Sequence, residues 1–156
     1  MPLKIDLTEA PARDEVGLVE RGLVAFNAAA SATPDDRRPL CAFIRDEGGD
    51  ALGGLTGYTR WGWLYLDCFW LPEELRRDGW GSRILSEAER EGRNRGCGRA
   101  RLFTYSFQAQ HFYEKHGYRV FGILDDYPPG HRLFFMRKDL DGQSSAPGVR
   151  HRSRGG

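Results

Sequence analysis

The sequence predicts an α/β domain built on a mixed, mostly antiparallel sheet of about six to seven strands flanked by helices. Three observations carry this. The apolar runs "LCAFIRD", "ALGGLTGYTRW" and "WLYLDCFWL" follow one another with only short glycine-bearing turns between them, which is the pattern of an antiparallel meander. After Pro72 the apolar spacing changes from alternation to helical, with Trp80, Ile84, Leu85 and Ala88 on one face. Beyond Gly96 and Gly98, strand-like and helix-like runs alternate up to residue 140.

Taken in order, the apolar start at residues 3–7 predicts an edge strand. Thr8 or Asp14 then caps a helix whose inner face is Val16, Val19, Leu23 and Phe26. That helix is expected to dissolve within "NAAASATPDDRRP", where Pro34 and Pro39 punctuate a loop. The meander turns at Gly48–Gly49 and again at Gly62. Gly96 and Gly98 stop the helix that starts near residue 80. "RARLFTYS" is a strand, "QAQHFYEKH" a short helix ended by Gly117, and "YRVFGIL" and "HRLFFMRKDL" are two last strands joined by "DDYPPG". The unit from residue 63 to 105 reads strand–helix–strand, so its two strands should run parallel through a right-handed crossover. Residues 1–140 are expected to form a single domain, and residues 141–156, rich in Gly, Ser, Pro and Arg, a disordered tail.

Composition narrows the function. A chain of 156 residues with net charge +1 carries no field that would favour nucleic acid or a membrane surface. The three cysteines, Cys41, Cys68 and Cys97, are widely spaced, so neither a disulfide framework nor a zinc knuckle is predicted. His111 and His116 are five apart and no His-Glu-x-x-His occurs, so no metal is expected. The N-terminus lacks an apolar signal-like run, and the expected compartment is the cytoplasm.

The informative stretch is "LPEELRRDGWGSRIL". A strand entering a glycine-bearing turn and then a helix is a phosphate-binding arrangement, because free N–H groups and the helix dipole favour an anion there. The backbone from Arg77 through Asp78, Gly79, Trp80 and Gly81 to Ser82 would supply the amides, with Arg76 or Arg77 reaching the oxygens. The glycines have a second reading as a tight turn without a ligand, and each arginine as a solvated side chain. A Walker loop is absent, and the third glycine of a dinucleotide fingerprint is replaced by Ile84.

What remains, Arg76-x-x-Gly79-x-Gly81 at a helix start after an extended strand, resembles the GNAT superfamily of acyl-CoA-dependent N-acyltransferases, in its small bacterial branch. A second block, "SFQAQHFYEKHGY", resembles that family's downstream pattern through Ser106, Ala109, Tyr113, Gly117 and Tyr118. Ser106 stands where the family usually has Asn, with a cofactor hydrogen bond as the expected role. The resemblance spans roughly residues 3 to 140 and implies acetyl-CoA as co-substrate, held partly by the backbone at Leu71 beside a splayed parallel strand pair. It implies Tyr113 as the acid that protonates the departing sulfur. It implies N-acetylation of a small-molecule amine by direct transfer in a ternary complex. A protein lysine or N-terminal acetyltransferase and a catalytically silent acyl-CoA sensor are the alternatives.

Asp67 interrupts an apolar strand, and alternation puts it on one face with Tyr65, Phe69 and Leu71. It reads either as the base or amine-binding carboxylate, or as a structural anchor. Cys68, on the other face, reads as a buried inert thiol. Asp125, Asp126 and His131 border the last turn and either line the acceptor side or serve the turn alone. Exposed sheet edges leave room for a homodimer.

Overall fold

Residues 1–141 are described in the structure, a computed structural model, and the chain divides into a unit Met1–Asp36 and a second that starts at Arg37. In the first, residues 3–7 form no strand. This corrects the expected edge strand: within residues 1–36 no other strand offers a ladder to pair with. Helix α1 (Arg13–Ser31) starts after Ala12, and the Ala12 N–H donates to Glu15 Oε2 at 3.1 Å. Neither Thr8 nor Asp14 is the cap. Thr8 Oγ1 accepts instead from the Ala10 N–H at 3.1 Å. The alanines at 28–30 carry the helix into the stretch where it is expected to dissolve, because alanine has the highest helix propensity. It stops at Ala32, which has φ 52°.

The second unit holds a six-stranded sheet with order β1-β2-β3-β4-β6-β5. Its strands are β1 (Arg38–Arg45), β2 (Ala51–Arg60), β3 (Trp63–Trp70), β4 (Arg99–Tyr105), β5 (Arg119–Asp125) and β6 (Arg132–Asp139). Helix α2 (Trp80–Asn94) joins β3 to β4, and the short α3 (Gln110–Lys115) joins β4 to β5. The meander, the parallel β3–β4 pair and the antiparallel final strands all follow the predicted order. One sheet face packs on the helices: Leu40, Leu55, Leu64, Leu66, Ala100, Leu102 and Met136 meet Ile84, Leu85 and Ala88 in a single core cluster. Glu89 is buried in α2, where its carboxylate accepts from the Tyr118 hydroxyl at 3.2 Å and from Lys138 Nζ at 2.7 Å. Such partners offset the cost of burying a charge. They also tie α2 to β6.

Two irregularities position the site. In the β2–β3 ladder Thr56 faces Cys68 while Gly57 faces Leu66, so Asp67 is an extra residue, a β-bulge. A Cβ at Gly57 would lie 2.0 Å from the Tyr65 carbonyl oxygen, so only glycine admits this close approach. The bulge reverses the side-chain phase and corrects the expected alternation. Tyr65 packs on Tyr58 and Arg101, whereas Phe69 packs on Phe112 and Tyr113 and Leu71 is buried in the core. Cys68 is exposed rather than buried, for the same reason. The second irregularity is that β3 and β4 pair only from Trp63–Arg99 to Leu66–Leu102. Beyond that point β3 continues along β2 and β4 continues along β6, and the two parallel strands part.

Candidate active site

Helix α2 begins beside that parting. Its N-cap is Gly79 at φ 76°, with no side-chain cap and no acidic residue in the first turn. The first intrahelical bond runs from the Arg83 N–H to the Gly79 carbonyl at 3.1 Å. The amides of Trp80, Gly81 and Ser82 therefore precede the helix ladder and point out of the helix start. With the helix dipole they favour an anion. Arg77 and Asp78 are exposed next to them.

The other residues expected to hold the cofactor divide by what they touch. Arg76 Nε donates to the Leu71 carbonyl at 2.8 Å, so its guanidinium braces the connector between β3 and α2, and Leu71 itself packs in the core. Trp80 is half-buried under the Arg83 guanidinium, which lies 4.2 Å from its ring. A Cβ on Gly81 would stand 3.4 Å from the Phe112 ring, so the first turn of α2 packs directly on α3. Ser82 Oγ lies 3.0 Å from His116 Nε2. Ser106 closes the end of the β4–β6 ladder: its N–H donates to the Arg132 carbonyl at 2.8 Å, and its Oγ accepts from the Arg132 N–H at 3.1 Å. An open cavity of about 680 Å³ is lined by Trp80, Ser82, Arg83 and His116 and, across from them, by Phe43 and Arg45. Tyr113, Asp67 and Leu71 do not line it.

Tyr113 stands on α3 with its ring packed against Phe69 of the post-bulge strand, at 6.5 Å between centroids, and against Phe112 and Tyr118 at 5.3 and 5.7 Å. Burial pushes its hydroxyl up to about 12, so it holds its proton throughout the neutral range. Asp67 is exposed on the bulge. Burial first and the Asp67 charge second raise the Tyr65 hydroxyl above its ordinary value. The structure thus brings Tyr113, Phe69, Leu71 and the start of α2 to one locality, and sets Ser106 into the frame of the sheet.

Sequence reasoning missed the Ser82–His116 link and an aromatic group made by Tyr105, Phe107 and Tyr127. The only sequence signal for the latter is that each ring sits in or beside a predicted turn.

A mixed sheet whose parallel pair opens next to an uncapped helix start defines an α/β protein with free helix-start amides at a strand parting. Residues 9–118 match the acetyltransferase (GNAT) family. The chain is 37% identical over 109 residues to the blasticidin-S acetyltransferase of Streptomyces morookaense, covering 67% of this chain and 80% of that protein. The crystal structure of an acetyltransferase from Agrobacterium tumefaciens superposes with a TM-score of 0.83 at 31% identity, over 88% of this chain and 99% of that one. An acetyltransferase from Bacillus cereus gives a TM-score of 0.75 at 32% identity, over 86% and 97% of the two chains. This chain belongs to the GNAT acetyltransferase family and is an acyltransferase.

Proposed function

We propose that this protein moves an acetyl group from acetyl-CoA to a primary amine of a small molecule, by direct transfer within a ternary complex. The observation that carries the reading is the loss of β3–β4 pairing beyond Leu66 and Leu102, right where an uncapped helix start supplies bare amides. Unpaired strand backbone suits an extended amide-bearing arm, and the helix start suits a diphosphate.

Acetyl-CoA supplies an acetyl thioester, whose C–S bond is exchanged for an amide C–N bond with release of a thiol. The amides of Trp80, Gly81 and Ser82 would grip the diphosphate, with Arg77, exposed next to them, joining them. Arg76 acts one step back, by fixing the Leu71 carbonyl. The backbone of residues 67–70, no longer paired to β4, would hold the pantetheine arm. Ser106, whose oxygen already accepts from Arg132, contributes at most a donated O–H. Tyr113 holds a proton at its hydroxyl for the departing sulfur. Asp67, exposed at the point where the strands part, takes the proton from the amine or holds the amine as a cation. The relative named for blasticidin-S supports a small-molecule acceptor over a protein one.

Calorimetric titration of the full chain with acetyl-CoA, followed by thiol-release assays over a panel of amines, tests this. Saturable heat and amine-dependent release are expected. Folded protein that gives no heat with any CoA thioester would refute it.

A further inference from the structure

Three aromatic rings and a histidine from separate segments meet at the C-terminal end of β4. Tyr105 is the last residue of β4, Phe107 lies between β4 and α3, and Tyr127 and His131 lie in the β5–β6 loop. The Phe107 and Tyr105 rings are parallel to within 6° with centroids 5.2 Å apart, and Tyr105 and Tyr127 to within 12° at 5.8 Å. His131 stands edge-on to Phe107 at 4.9 Å. Yet Phe107 is 56% exposed and Tyr127 50% exposed. A lone exposed aromatic needs no explanation. A parallel stack gathered from three segments and left half in water is different: it is an apolar surface held in one geometry without serving as core.

Its place in the sheet gives it a task. Along β4, Ala100, Leu102 and Thr104 are buried, and the first two meet α2 in the core. Tyr105 alternates to the other face. In the reading above the phosphates sit at the start of α2, on the helix-covered face, so the amine must enter the parted strands from the face that carries the stack. Acidic groups border it. Asp125 pairs with Arg132 at 3.0 Å, and Asp126 Oδ1 accepts from the Gly130 N–H at 3.5 Å. The Asp125 charge is compensated by Arg132, and the Asp126 carboxylate is the acidic group beside Tyr127 left to meet a cationic acceptor.

We propose that Phe107, Tyr105 and Tyr127 form the acceptor platform and select amines that carry a planar conjugated ring; this rests on the acetyltransferase reading. A flat ring continues the stack on its exposed members, while a puckered ring of equal size cannot.

The test compares 2-phenylethylamine with 2-cyclohexylethylamine, which share the amine and the arm and differ in ring planarity. Equilibrium affinity is measured on the full chain with CoA present, and thiol release is measured with acetyl-CoA. The wild type should bind the phenyl amine about two- to tenfold more tightly, the range that an aromatic pair is worth. Phe107→Leu and Tyr127→Leu should bring the two amines to parity, with melting temperature and acetyl-CoA affinity unchanged. Equal affinities in the wild type, or a preference that survives in both variants, overturns the platform. Ring preference without thiol release leaves the platform standing and overturns acetyl transfer to such amines; release without ring preference does the reverse.

Discussion

Removing one oxygen, in Tyr113→Phe, separates the proposed acid role of this residue from its packing role. The ring is buried against Phe69, Phe112 and Tyr118, and phenylalanine keeps those contacts, so stability should change by no more than about 1 kcal/mol. The chemistry should not survive as well. Burial takes the hydroxyl from 10.0 to about 12, which favours the protonated form by about 3 kcal/mol. At pH 8 only about one hydroxyl in ten thousand is then ionised, so nearly every molecule carries the proton that a departing thiolate needs. Losing a positioned acid costs about a hundredfold or more in turnover, equivalent to about 3 kcal/mol of transition-state stabilisation. Steady-state thiol release at saturating amine reads kcat, and variation of acetyl-CoA reads KM. The expected variant has kcat reduced about a hundredfold, with acetyl-CoA KM and melting temperature close to wild type. A kcat within twofold of wild type would remove Tyr113 from the acid role. A parallel rise in KM that accounts for the whole loss would make it a binding residue.

Stability should fall in alkali. The folded-state values of Tyr113 and Tyr118 are both raised, Tyr113 to about 12 from 10.0, so the unfolded chain releases these protons first as pH rises. Stability is full below pH 10, and the part linked to Tyr113 is lost between pH 10 and 12. Urea denaturation across that window should show a slope smaller by about 1.4 kcal/mol per pH unit in Tyr113→Phe than in wild type; identical slopes would show that Tyr113 titrates normally. Two glycines should respond in opposite directions to alanine. At Gly57 the new Cβ would meet the Tyr65 carbonyl oxygen at 2.0 Å, and Gly57→Ala should lose about 3 kcal/mol and roughly 6–12 °C in melting temperature. At Gly22, inside α1 with nothing within 4 Å of the new atom, Gly22→Ala should gain about 0.5–1 kcal/mol. Calorimetric melting reads both, and a neutral Gly57→Ala would mean that the bulge tolerates a side chain.

The elements that were legible are those written in local pattern. Glycine turns delimit β1, β2 and β3, and the helical spacing of Ile84, Leu85 and Ala88 identifies the buried face of α2. The parallel β3–β4 pair follows from having a helix between two strands. What was not legible depends on a neighbour distant in sequence. The phase of β3 changes at Asp67 because of how β2 passes it, so Phe69, Leu71 and Cys68 fall on faces that alternation does not give. Arg76 reads as a phosphate ligand by its position before two glycines, and only the folded connector shows it bonded to Leu71. Gly81 reads as clearance for a phosphate, and the nearest group to its missing side chain is Phe112, thirty-one residues further along the chain. The expected disordered tail lies almost wholly outside the described residues, with only Asp141 among them.

The features of the candidate site gather around one contact. Because Gly57 has no side chain, β2 can lie against the Tyr65 carbonyl, and the ladder accommodates Asp67 as an added residue. A bulge bends its strand and raises the local twist. Pairing of β3 with β4 ends at Leu66, immediately before the bulge, and the first helix-facing side chain after it is Phe69, on which Phe112 and Tyr113 rest. The strand parting, the seat of Tyr113 and the exposure of Asp67 all fall at this single added residue. The start of α2 arises independently, from Gly79 and the connector braced by Arg76. A side chain at Gly57 should then disturb amine-dependent turnover more than diphosphate binding, since it acts on the parting and leaves the helix start in place.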